Sequence, residues 1–88
     1  MKVDFDPQKA TSNLSKHGIS FDEAQTCLLD QHAWVREDPD AAGEVRFVLI
    51  GMSCQARLLT VIYALPDDDT VRLISARQST LTEEKYYA

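Results

Sequence analysis

Four arginines, Arg46, Arg57, Arg72 and Arg77, fall in or beside stretches that read as β-strands. An unpaired guanidinium in an apolar core is costly, so each must reach solvent, pair with a carboxylate, or bind something anionic. Arg77 stands at the end of its strand, just before the last helix. A guanidinium held there presents five donors in a rigid fork and suits a phosphate better than a flexible lysine does. The competing reading is an ion pair from Arg77 to Glu83 or Glu84. Lys9, Asn13 and Lys16 recur at helical spacing and form a polar, cationic face, either simply solvated or a surface for nucleic acid. His17 closes the neighbouring stripe of Ala10 and Leu14, where a partly buried, hydrogen-bonded histidine is the default. Of the aromatic residues, Tyr63 alternates with Leu59, Val61 and Leu65 and reads as core, whereas Tyr87 is freer to act.

Other chemistries lack their residues. Three scattered glycines cannot form a phosphate-cradling loop. Asp67-Asp68-Asp69 lacks the alternation and terminal Glu of a calcium loop, and His17 and His32 have no partner at zinc-ligand spacing. No nucleophile-elbow sequence surrounds a serine. Cys27 and Cys54 match no metal spacing and read as two small thiols in a reducing compartment. No cofactor is implied.

The elements that must position these residues follow from caps and periodicity. Asp6-Pro7 opens a helix that carries Ala10, Leu14 and His17, and Gly18 ends it. Ser20 with Glu23 reads as the capping box of a second helix with Phe21, Ala24 and Leu28 buried. Strands are predicted at 3–5, 32–36, 45–51, 58–65 and 71–77, with a connection at 53–56 and a turn at 66–69. Strict alternation in the last strand points Val71, Leu73, Ser75 and Arg77 one way, and Arg72, Ile74 and Ala76 the other. Thr80 and Glu83 form another capping box, opening a short helix through Tyr87. Helices and strands are segregated, so the class is α+β, with helices packed on one face of an antiparallel sheet.

Size and charge bound the partners. At about 100–200 residues per domain, the 88-residue chain is expected to form one domain, 1–88. It has no apolar run of the ~20 residues that a membrane helix needs, and a charged N-terminus where a signal peptide would be apolar. A soluble, cytoplasmic protein with no membrane partner is expected. The net charge of −5 argues against nucleic acid if taken whole, but half of the fourteen acids lie in two loops, 37–44 and 67–69. The rest of the chain carries seven acids and nine bases. With a Debye length of about 8 Å, two acidic loops need not cancel a basic face elsewhere.

Phe5-Asp6-Pro7-x-Lys9, Asn13-x-x-Lys16-His17-Gly18 and Phe21-x-Glu23-Ala24 resemble the N-terminal signature of the BrnT toxin family. The similarity continues through Glu44-x-Arg46, Ile50-Gly51, Arg57-Leu58-Leu59-x-Val61 and Arg72-Leu73-Ile74-Ser75-Ala76-Arg77, and ends with Thr80, Glu83 and Tyr87. It covers nearly the whole chain.

The resemblance implies a RelE-like fold and a metal-independent endoribonuclease that halts translation. It also implies a ribbon-helix-helix, BrnA-like antitoxin that masks the toxin and makes the contacts to operator DNA. Cleavage in such a protein resembles attack of a 2′-hydroxyl on the adjacent phosphate, which needs an acid or base and cations on the developing charge. Arg57 and Arg77 would stabilise that charge, provided that they converge on one side. His17 or Tyr87 would move the proton, with Lys9, Lys16, Arg46 and Arg72 on backbone phosphates. In one departure, the family's helix Glu is usually followed by a basic residue, whereas Glu83 is followed by Glu84. A carboxylate there repels RNA. The alternative function is therefore a catalytically weak or inactive module that binds its antitoxin and contributes to operon autoregulation.

Overall fold

A computed structural model describes residues 1–41 and 43–87. The elements run β1 (Lys2–Phe5), α1 (Pro7–His17), α2 (Phe21–Thr26), a 3₁₀ turn (Cys27–Leu29), β2 (Trp34–Glu37), β3 (Arg46–Met52), β4 (Leu58–Asp67), β5 (Thr70–Gln78) and α3 (Leu81–Glu84). The local chemistry at their ends is explicit. Asp6 accepts from the Gln8 N–H and Pro7 opens α1, while Gly18, at φ 69°, takes the left-handed conformation that closes it. Ser20 accepts from the Glu23 N–H at the start of α2. Thr80 and Glu83 complete a reciprocal capping box on α3.

The five strands form one sheet in the order β1-β5-β4-β3-β2. It is mixed rather than antiparallel, because β1 runs parallel to β5. One face is the core, where Leu49, Leu59, Val61, Val71, Leu73 and Ala76 pack against Ile19, Phe21, Ala24 and Cys27. The helices do not all lie there. Glu83 and Tyr86, in and after α3, contact Arg77, Thr60 and Trp34, which cross-strand pairing puts on the opposite, outer face.

Two further differences from the sequence reading decide where the cations lie. On β4, Ile62 opposes Ser75 while Tyr63 opposes Leu73, so Ile74 is an extra residue on β5. Such a bulge inverts the alternation beyond it. Val71 and Leu73 therefore share the core face with Ala76, and Arg77 moves to the outer face with Arg72 and Ser75. The second difference is in α1, where Leu14 is 52% exposed and the buried residue is Asn13, at 5%. Its amide donates to the Ile19 and Ala76 carbonyls at 2.9 and 2.7 Å and accepts from the Ala76 N–H at 3.0 Å. Pairing of β1 with β5 stops at Phe5–Leu73. Asn13 thus supplies the ladder bonds that Ala76 would otherwise lack.

Candidate nucleic-acid interface

Cross-strand pairing arranges the outer face in rows. Trp34, Ile50, Thr60 and Arg77 form the first row, and Arg36, Val48, Ile62 and Ser75 the second. Arg46, Ala64, Arg72 and Asp4 form the third. Four guanidiniums, those of Arg36, Arg46, Arg72 and Arg77, therefore project from one surface across an apolar middle. Arg36 is absent from the residues singled out by sequence, although its place two residues after Trp34 in a short strand was the available signal.

The guanidiniums are held with unequal strength. Arg46 lies 3.9 Å from Glu44, and Arg72 lies 3.2 Å from Asp4 in a pair that is about half exposed. The exposed Arg72 pair contributes little and is readily exchanged for another anion, whereas the Arg46 Nε is buried without a hydrogen-bond partner among the described residues. Arg36 lies over the Trp34 ring, 5.9 Å from its centroid. Arg77 is gripped in a bidentate pair, Nη1 and Nη2 at 2.6 and 2.7 Å from the two Glu83 oxygens. Glu83 also accepts from the Thr60 hydroxyl and the Thr80 N–H. Arg77 foremost, with these donors, holds the Glu83 carboxyl at about 2, against an ordinary 4.5. Glu84 is exposed and is not the partner of Arg77 in this pair.

Lys9, Lys16 and His17 gather along the free edge of β5. With Ser12, Asn13, Ile74 and Ser75 they line a cavity of about 220 Å³. His17 is exposed, not the partly buried end of an apolar stripe. Because β5 also carries Arg72 and Arg77, the helix cations and the outer-face arginines flank a single strand.

Arg57 and Tyr87 are placed differently. Arg57 lies in the strand register of Leu59 and Val61, the core face, and pairs through Nε and Nη2 with Glu23 of α2. Glu23 is 3% exposed and also accepts from the Ser53 hydroxyl at 2.7 Å. Arg57 and Arg77 therefore point to opposite faces, each closed on a carboxylate, and do not converge on one phosphate. The Tyr87 hydroxyl donates to Asp30 Oδ2 at 2.6 Å, and this bond foremost raises its pKa. Asp30 is held low by the Met52 N–H first and by Tyr87 next.

Cys27 is buried and Cys54 exposed, both as free thiols. Burial, with Glu23 nearby, pushes the Cys27 thiol up to about 12, so it is an inert core group. Among the described residues, no group of three His, Cys, Asp or Glu side chains is arranged to hold a metal ion. Nor is any of their helices long and apolar enough to cross a membrane.

A family model described as the ribonuclease toxin, BrnT, of type II toxin-antitoxin systems matches residues 5–83. The chain belongs to the BrnT family. No curated protein sequence is significantly similar to it. Among solved structures it is similar to the crystal structure of the Brucella abortus ribonuclease toxin, BrnT, with 26% identity and a TM-score of 0.69. That match covers 91% of this chain and 97% of the Brucella one. The mixed α+β architecture, a five-stranded sheet with three α-helices, is thus that of a BrnT toxin.

Proposed function

We propose that this BrnT-family chain is an endoribonuclease of the RelE-like kind that cleaves RNA and so inhibits translation. In this reading it is neutralised by a ribbon-helix-helix, BrnA-like antitoxin, and it meets operator DNA only through that partner. The observation that carries it is the grouping of Arg36, Arg46, Arg72 and Arg77 on one face of the sheet, flanked by Lys9, Lys16 and His17 along β5. Such a surface matches a single strand's phosphates, with Trp34 as a stacking group. Arg77 would take the charge that develops on the scissile phosphate as the 2′-hydroxyl attacks it. His17, an exposed imidazole that can both donate and accept, suits proton transfer better than Tyr87, whose hydroxyl already donates to Asp30. Lys9, Lys16, Arg46 and Arg72 hold neighbouring phosphates. Arg57 falls outside this set and acts on the fold through Glu23.

Expression in bacteria is expected to arrest growth and translation, and the purified chain to cleave single-stranded RNA. Arg77→Ala should slow cleavage by roughly 100-fold, the scale for removing one donor to transition-state charge, and relieve the arrest. A folded wild-type product that spares both growth and RNA overturns the proposal.

One observation favours a second reading, an antitoxin-binding module with little or no activity. Both Arg57 and Arg77 are closed on glutamates, on opposite faces. Glu84→Arg separates the two. It should raise RNA affinity and cleavage severalfold if the outer face is a damped ribonuclease site, and change neither if the chain only binds its partner.

A further inference from the structure

The tight Arg77–Glu83 pair stands beside a second contact made by the same short segment. Three residues beyond Glu83, the Tyr86 ring stacks on Trp34, with centroids 4.8 Å apart and planes at 28°. Both targets, Arg77 and Trp34, belong to the first row of the outer face. A carboxylate spanning a guanidinium fork makes the contacts a phosphate would make there, and a ring stacked on an indole makes the contact of a nucleobase. Between them lies a cavity of about 270 Å³, lined by Trp34, Arg36, Val48, Ile50, Glu83 and Tyr86. Its floor is apolar, as a base face requires, and Arg36 at the rim can meet a further phosphate.

We propose that the α3 segment is a built-in nucleotide mimic, with Glu83 in a phosphate site on Arg77 and Tyr86 in a base site on Trp34, and that single-stranded RNA binds by displacing it. The proposal rests on the reading of the outer face as the RNA surface, and adds the occupant of that surface at rest. The segment is built to leave. α3 has four residues, too few to be stable alone, and Leu81 is 80% exposed and Tyr86 54%. What ties it down is the Glu83 cluster, the Tyr86 stack and the Tyr87–Asp30 bond. RNA replaces the first two like for like. Arg72, in an exposed pair with Asp4, needs no such displacement.

Apparent affinity is the intrinsic affinity scaled by the fraction of molecules with the site open. Glu83→Gln removes the carboxylate charge from Arg77 yet keeps a residue competent in the capping box. It is therefore expected to bind a 2′-O-methylated RNA hexamer, which lacks the attacking hydroxyl, about tenfold more tightly than the wild type. Trp34 is the chain's single tryptophan, so its fluorescence reports the exchange of Tyr86 for a base and should change on binding. Tyr86→Ala, which leaves the Glu83 pair intact, should tighten binding severalfold and start from the altered Trp34 emission. Binding that is no tighter in either variant, or that leaves Trp34 emission unchanged, overturns the mimic. Absence of cleavage of unmodified RNA, with these gains present, sinks the ribonuclease proposal and supports the mimic. Cleavage without these gains does the reverse.

Discussion

Asn13→Ala is expected to lower the melting temperature by roughly 15 °C, on the order of 3 kcal/mol at about 4–8 °C per kcal/mol for a chain of this size. The truncation strands the N–H and carbonyl of Ala76, a fully buried residue, and removes a donor from the carbonyl of Ile19, 1% exposed. Each buried group left without a partner costs about 1–3 kcal/mol, and the three share one side chain, so their costs do not simply add. Asn13→Asp should be at least as damaging, since it keeps the acceptor for the Ala76 N–H but turns a negative oxygen towards two carbonyls. Leu14→Ala, one position away and half exposed, should stay within about 0.5 kcal/mol. Thermal melts of the three variants decide the matter. An Asn13→Ala protein that melts within a few degrees of the wild type would mean that β5 has another partner along that edge.

The contrast between Asn13 and Leu14 shows where sequence reasoning reaches its limit. Caps are local, and Asp6, Gly18, Ser20 and Thr80 announce themselves because the partner of each lies within four residues. The β-rich runs were legible for the same reason. Which face of α1 is inward is a tertiary decision. Hydrophobic periodicity assigns Leu14 to the core, whereas the unpaired edge of β5 demands an amide, and a residue 63 positions away from Ala76 meets that demand. The bulge at Ile74 is equally invisible, because Ser75 and Ala76 differ too little in polarity to betray a change of face. One extra residue moved Arg77 away from Arg57. That shift dissolved the two-arginine phosphate site and gathered Arg77 with Arg36, Arg46 and Arg72 instead. Glu83, legible as a cap, was also readable as a partner for Arg77. Its double role, closing a helix while filling a guanidinium fork, needed the fold.

The Glu23–Arg57 pair yields the other large effect, and its pH dependence changes sign on mutation. In the wild type, Arg57 foremost holds the Glu23 carboxyl below its ordinary 4.5, against the opposing pull of burial. A depressed carboxyl stabilises the fold above the unfolded value, and that stability is lost as pH falls through the folded value. The wild type should therefore gain melting temperature as pH rises towards about 5. In Arg57→Met the strongest lowering influence is gone, and burial outweighs the Ser53 hydroxyl, so the Glu23 carboxyl rises above 4.5. A raised carboxyl favours the fold only while protonated. The variant should lose melting temperature as pH rises from about 5 to 7, the reverse of its parent. Glu23→Leu combined with Arg57→Met removes both charges and should recover much of the loss at pH 7, since replacing a buried pair by apolar side chains is often neutral while breaking it is not. Cleavage by the double variant then assigns Arg57 its role. Activity that returns with the fold marks a positioning residue, held on the core face by α2. Activity that stays lost in a fully refolded double variant would return Arg57 to the phosphate, and would require its guanidinium to leave Glu23 and cross to the other side of the sheet.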